Sequence, residues 1–278
     1  MLPMNTRLRN PRRSLVSSPV SAPVSSYQPF SPLALQPRLW LDASDLTTIT
    51  ESGGAVSEWR DKSGNGYAFT QATSTAQPTT GTTTQNGLNV ISFDGVDDFM
   101  VSTAAASEWK FLHDGTEYLF GAVVRRSVAG VQGFFYSTQN LVGGIQQIGA
   151  RVVFNVLNNW GTVVYNASNQ NIIVATTSLG TATTVPRVIS GRIAPAAIAV
   201  SRATTQLDGD QPTTNNTQTG TLSTANPYAT LHLGVQATAT TQFLGGFIAE
   251  LVFVTGSAAT NQGRQILHNY LNAKWSVY

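Results

Sequence analysis

Carboxylates are the side chains of this sequence best able to do chemistry, and glycoside hydrolysis is the reaction that a pair of them would serve. A retaining hydrolase needs two carboxylates about 5 Å apart and an inverting one a wider pair. On one strand such a pair stands at positions i and i+2, where side chains leave the same face. Nothing equivalent is carried within a strand pattern: Glu250 sits among Leu, Val and Phe, Glu117 is isolated, and Asp42 with Asp45, like Asp94 with Asp97, reads as turn and strand-end residues. The chain is therefore expected not to be an enzyme. His113, His232 and His268 lie far apart and read as ordinary surface or half-buried residues. Cysteine is absent, which removes thiolate metal sites and disulfides. No Gly-rich phosphate loop precedes a lysine, and no zinc pattern occurs.

Two groups of residues point to binding instead. Asp94, Asp97 and Asp98 flank Gly95 closely enough to offer hard oxygens to calcium, which takes about six to eight of them. The alternative is a tight Asp-Gly turn whose carboxylates accept local N–H groups. No other cofactor is expected. Glycan recognition uses exposed rings beside amide side chains that chelate hydroxyls. Trp160, set between Asn158, Asn159 and Gly161, is the first candidate, followed by Tyr228 in Asn226-Pro227-Tyr228 and by Tyr136. Trp160 also admits a reading as a loop residue folded over the edge of the core. Trp40, Trp59, Trp109 and Trp275 read as structural.

The elements that must position these groups are short strands. Only 11% of residues are Asp, Glu, Lys or Arg, about half the usual share. Thr, Ser, Asn, Gln and Gly fill the polar positions, a mixture that favours strands joined by turns over ion-paired helices. Strand patterns recur about every ten to fifteen residues, among them 88–93, 117–126, 150–156, 171–175, 187–193, 197–201, 228–234 and 246–254. Asp61 to Gly66 has the composition of a tight loop. Ile266, Leu267, Tyr270, Leu271 and Trp275 recur at helical spacing and predict one amphipathic helix lying on a sheet. No apolar run reaches the length of a membrane span.

Residues 1–34 differ from the rest. Pro3, Pro11, Pro19, Pro23, Pro29 and Pro32 break any helical ladder, and Arg7, Arg9, Arg12 and Arg13 have no acidic counterpart before Asp42. This stretch is expected to be an extended attachment arm, with the four arginines, Tyr27 and Phe30 as its assembly contacts, ahead of one domain spanning 35–278. The alternative is an arm folded back on its own domain. Nucleic acid is not an expected partner, because no basic stripe with interleaved aromatics continues into the body.

Several segments together resemble the concanavalin A-like lectin/glucanase superfamily, and within it the laminin-G-like modules of bacterial and phage structural proteins. They are Leu39-Trp40-Leu41-Asp42-Ala43-Ser44-Asp45, residues 54–66 with Trp59-Arg60-Asp61-Lys62-Ser63-Gly64-Asn65-Gly66, residues 90–99, Gly246-Phe247-Ile248-Ala249-Glu250-Leu251, and Asn269 to Trp275. The resemblance implies an all-β jelly roll of two packed antiparallel sheets, the two-layer solution that many half-buried strands in one chain also require. Taken with the arm, it implies a non-catalytic structural protein of a tailed-phage virion, in a capsid decoration, collar or tail-associated position. Such a protein is anchored by its arm to other virion proteins and is a homo-oligomer. The alternative is a carbohydrate-binding adhesion module for a host surface polysaccharide.

Overall fold

The strand Gly245–Thr255 organises the molecule, because its two faces bury different things. Ile248, Leu251 and Phe253 point into one apolar cluster, and Phe247, Ala249, Val252 and Val254 into another. The computed structural model that shows this describes residues 30–127, 133–142, 145–155, 157–166, 171–179, 184–194, 202–214, 221–237 and 242–278. Among them, Gly245–Thr255 is central to a seven-stranded antiparallel sheet. One flank pairs with Tyr118–Arg126, and the other with Ile91–Asp94 and then Pro37–Asp42. Arg187–Ile193, Ala203–Leu207 and Thr213–Thr214 extend the sheet beyond Tyr118–Arg126.

A second sheet of nine described strands runs in the order Asn171–Ser178, Asn159–Tyr165, Gly149–Phe154, Gly133–Ser137, His232–Leu233, Met100–Ser102, Ala68–Thr70, Ala55–Arg60 and Ile49–Ser52. Its inward side chains, including Trp59, Phe69, Tyr136, Phe154 and Trp160, meet Leu39, Leu41, Tyr118, Phe120 and Phe253 of the first sheet. The fold is a two-sheet antiparallel jelly-roll sandwich. The helix Asn261–Trp275 covers the outer face of the seven-stranded sheet through Leu267, Leu271 and Trp275. Gly121 permits that contact: a Cβ there would lie 2.8 Å from Leu267.

Two strand expectations are modified and a third is untested. The run 88–93 breaks at Val90 into Leu88–Asn89, which forms a hairpin with Thr84–Gln85, and Ile91–Asp94. Only His232–Leu233 pairs within 228–234, and 197–201 lies outside the described residues. The arm meets the domain earlier than residue 35. Pro32 and Leu35 are buried, and Phe30 stands edge-on to Tyr270 with ring centroids 5.6 Å apart.

One irregularity sets the chemistry of the outer face. The ladder shifts register between Ile248 and Glu250, so Ala249 is an extra residue opposite Tyr118–Arg126. Strict alternation would send Glu250 into the sandwich core with Ile248. The bulge instead turns it to the helix side, where Trp40, Tyr270, Lys274 and Trp275 meet it. Deleting Ala249 restores a regular ladder and drives the carboxylate inward. That variant is expected to lose the cooperative thermal transition followed by circular dichroism, whereas Ala249→Gly lowers its midpoint by only about 2–4 °C.

Candidate functional site

Asp42 and Glu250, 208 positions apart in the chain, face each other across paired strands. Sequence spacing alone could not pair them, because the register that does so belongs to the fold. Glu250 is fully buried. Its Oε1 accepts from Trp40 Nε1 (2.7 Å) and Tyr270 Oη (2.9 Å), and its Oε2 from Trp275 Nε1 (2.6 Å) and Lys274 Nζ (2.8 Å). Asp42 accepts from Lys274 at 2.7 Å, Lys62 at 2.9 Å and the Ser44 hydroxyl at 2.6 Å. Lys62 also reaches Asp45 at 2.9 Å and lies over the Trp40 ring at 4.4 Å. Burial pushes the Glu250 carboxyl above its ordinary value despite Lys274. For Asp42, burial is outweighed by Lys274, Ser44 and Lys62 together, which hold its carboxyl below the usual range. Every oxygen of Glu250 is occupied by the protein itself, so the pair joins helix to sheet and leaves no place for a glycosidic oxygen.

A second cluster has the composition of a nucleophile and base. Ser190 Oγ lies 2.9 Å from His268 Nδ1, and His268 Nε2 lies 2.6 Å from the Asp208 carbonyl. The carbonyl can only accept, so Nε2 carries the proton and Nδ1 accepts from the serine hydroxyl. Arg264 Nη1 also donates to Ser190 Oγ, at 3.1 Å. Ser190 and His268 are both fully buried beneath the helix, so this arrangement holds structure rather than substrate.

The acidic turn lies at one end of the sandwich. Oxygens of Asp94, Asp97 and Asp98 lie within 4.8 Å of one another. Asp94 Oδ1 accepts from the backbone N–H of Val96, Asp97 and Asp98 at 2.8, 3.2 and 3.4 Å, and Asp98 Oδ2 accepts from Asp94 N at 2.9 Å. Gly95, at φ +82°, approaches Gly245 so closely that a Cβ would lie 3.0 Å from its Cα. Both readings of the cluster thus have structural content: the turn geometry occupies one oxygen each of Asp94 and Asp98, and the remaining carboxylate oxygens could hold a metal ion. Burial, with the charges of Asp94 and Asp97, pushes Asp98 up to about 7.

The glycan candidates separate sharply. Trp160 is fully buried and packs edge-on against Phe120 at 6.2 Å, because Asn159–Tyr165 is a strand and position 160 faces inward with Val164. Its expected role as a sugar platform is corrected: no face of the ring is open. Tyr136 is likewise fully buried. Asn158, at φ +58°, is a turn residue whose side-chain oxygen accepts from Arg126 at 2.7 Å, and half-buried Asn159 opens the strand.

Tyr228 remains 49% exposed. Its N–H donates to the Ile148 carbonyl at 2.9 Å, and Ala229 N to Thr138 O at 3.2 Å, so the loop is stitched to the hairpin Leu141–Val142/Ile145–Gln146. An amide network unsuspected from the sequence lies under that hairpin. Gln139 bonds Gln146, Arg151 and Gln236, and Arg151 Nη2 donates to Tyr165 Oη at 2.8 Å. Only the density of Gln and Asn between 139 and 147 hinted at it. Of the arm contacts, Phe30 packs on Tyr270 of its own domain, and Arg7, Arg9, Arg12, Arg13 and Tyr27 lie outside the described residues.

No protein-family model and no curated protein matches the chain. Solved structures do. The binding domain of botulinum neurotoxin serotype D is similar at TM-score 0.51 and 10% identity, over 86% of this chain and 52% of that one. A sialidase of Trypanosoma rangeli is similar at TM-score 0.51 and 12% identity, over 85% of this chain and 32% of that one. The binding domain of a botulinum neurotoxin serotype D/C is similar at TM-score 0.50 and 12% identity, over 87% and 53%. The chain thus spans about half the length of the toxin binding domains and a third of the sialidase. The shared feature is the fold, a sandwich of two antiparallel sheets.

These neighbours correct the expectation of a tailed-phage virion protein, with its virion location, virion partners and arm-mediated assembly, since they are toxin binding domains and a sialidase rather than phage structural proteins. Trp40, Asp42, Lys62, Glu250, Tyr270, Lys274 and Trp275, which carried much of the resemblance, form one buried network that holds the fold and says nothing of where the fold is used.

Burial lowers the pKa of all three histidines, that of His268 to about 4. The folded value lies below the unfolded one of about 6.5, so the contribution of neutral His268 is complete above pH 6.5 and is lost as pH falls toward 4. The stability advantage of the native protein over His268→Gln, measured by urea unfolding, is expected to shrink by about 3 kcal/mol from pH 7 to pH 4. Taking the difference between the two proteins removes the opposing contribution of Asp98, which is common to both.

Proposed function

We propose that the chain is a non-catalytic carbohydrate-binding module that adheres to a surface glycan. The observation that carries this reading is Tyr228: a half-exposed aromatic ring, held by backbone bonds to Ile148 and set on a rim rich in amide side chains. An aromatic face covers the apolar side of a sugar ring while amides and hydroxyls chelate its edges. Half-buried Gln147, next to Ile148 in the chain, carries such an amide, whose Nε2 donates to the Ile145 carbonyl at 3.1 Å. The binding domains among the fold neighbours support the reading at the level of fold. The absence of catalysis belongs to the same proposal, supported by the full occupation of the Glu250 carboxylate. So does the division into an extended arm, 1–34, and a sandwich domain, 35–278, with the last residues of the arm lying on the domain. The finer likeness to laminin-G modules rests on the sequence segments alone.

On a glycan array probed with the full chain, Tyr228→Ala is expected to lose at least tenfold in signal at an unchanged melting temperature, with Tyr228→Phe retaining it. Trp160→Ala is expected to fail differently, by unfolding, since emptying so large a core site costs about 3–5 kcal/mol. Equal array binding by native protein and Tyr228→Ala rejects this site.

Calcium at Asp94, Asp97 and Asp98 is the second part of the proposal, with waters completing the shell that three carboxylates leave open. Since Asp98 is raised to about 7, the ion competes with a proton there. Calcium affinity by isothermal titration is expected to rise between pH 6 and pH 8 and to vanish in Asp98→Asn. No heat at pH 8 would leave the turn as structure only.

A further inference from the structure

A groove of about 780 Å³ opens at the far edge of the nine-stranded sheet, between the hairpin Ile49–Ser52/Ala55–Arg60 and the hairpin Thr84–Gln85/Leu88–Asn89. From the geometry we infer that it is a second ligand site, separate from Tyr228, that takes an uncharged polyhydroxylated ligand of short-oligosaccharide size. The volume lies within the range of small-molecule sites, roughly 300–1,000 Å³. Five strand spacings separate the edge strand Ile49–Ser52 from Gly133–Ser137, beside which Tyr228 stands. At about 4.8 Å each they place the two sites roughly 24 Å apart along the sheet.

The lining states the chemistry. Leu46, 62% exposed, with half-buried Ile49 and Leu88, supplies an apolar floor. Thr82 and Thr84 bring exposed hydroxyls. Gly53, Gly81 and Gly87 have φ values of +62°, +81° and +73° and nothing within 4 Å of a Cβ position, so the backbone there is open to a ligand on that side, with the Gly81 N–H already donated to Asn89. Glu51 is the only charged residue of the lining, and its Oε2 already accepts from Gly54 N at 2.6 Å. An apolar floor edged by hydroxyls and peptide groups suits a sugar ring, and one carboxylate without a cation repels uronic acids and sulfates.

The walls are also fixed in advance, which lowers the ordering cost of binding. Asn89 Oδ1 accepts from Thr80 Oγ1 (2.9 Å) and Gly81 N (3.0 Å), while its Nδ2 donates to Ala43 O (2.8 Å). Gln85 and Asn86 tie the second hairpin to the carbonyls of Trp275 and Lys274 at the end of the helix, both at 2.9 Å.

The test uses saturation-transfer NMR on the full chain, with a panel of neutral trisaccharides built from glucose, galactose, mannose or N-acetylglucosamine, and with sulfated and uronic-acid counterparts. Transfer is expected to at least one neutral member and to none of the anionic ones. It should persist in Tyr228→Ala and fall at least tenfold in Leu46→Asp and in Thr82→Val, with melting temperatures of both groove variants unchanged. Glu51→Gln should admit an acidic member. Silence across the neutral panel overturns the proposal. So does neutral-sugar transfer that survives both groove variants but disappears in Tyr228→Ala, a result that would leave the Tyr228 site standing alone.

Discussion

The carboxylate of Glu250, buried and surrounded by four donors, is the interaction on which the architecture turns. A lone ionised carboxylate in such a place is costly enough to be driven neutral. Two indole N–H groups, a phenol and an ammonium offset much of that cost by filling its lone pairs. The donors come from the strand Pro37–Asp42 and from the helix Asn261–Trp275, so satisfying one charge fixes both elements against the central strand. Lys274 is shared with Asp42, and Asp42 with Lys62, which extends the restraint to the loop that folds over Trp40. Buried ion pairs are weak evidence for net stability, since matched apolar residues often do as well. Their asymmetry matters more here: removing one partner leaves the others buried and charged, a loss of about 3–5 kcal/mol.

That network exists only because the ladder is imperfect. A regular strand would place Glu250 with Ile248 among the aromatics between the sheets. The extra residue at Ala249 leaves two successive positions, 249 and 250, on the outer side and shifts the alternation from there on, so that Leu251 and Phe253 face inward. The bulge is a single-residue device that lets one strand carry a continuous apolar core on one side and an anion on the other. At the C-terminal end of the helix these bonds add to the polar contacts that Ser190 and Gln206 make with His268 and Arg264 nearer its start.

The sequence made the fold legible where a local pattern was sufficient. Leu267, Leu271 and Trp275 at helical spacing marked the helix and the face it buries, and the strand rhythm marked an all-β sandwich. It misled where facing depends on a partner. Trp160, between asparagines and a glycine, looks like a loop residue, yet Asn158 forms the turn and position 160 is already inside the strand, pointing at Phe120. Glu250 looked solitary because its acidic neighbour and its donors arrive from Asp42, Trp40 and the helix, and only sheet register brings them together. Ser190 and His268 are silent in sequence for the same reason. Tyr228 was legible because proline and asparagine hold a loop open on their own.

These facts also constrain where any binding surface can be. The interior is filled by aromatic side chains, and the outer face of the seven-stranded sheet is closed by the helix and its charge network. What remains are the rims and the outer side of the nine-stranded sheet, where loops, not ladders, set the side chains. The rim around Tyr228 can change without disturbing Glu250 and its donors, whereas the hairpin Thr84–Gln85/Leu88–Asn89 is bonded to the carbonyls of Trp275 and Lys274. Likeness of fold to toxin binding domains and to a sialidase therefore speaks for the scaffold and leaves the loops to decide the ligand.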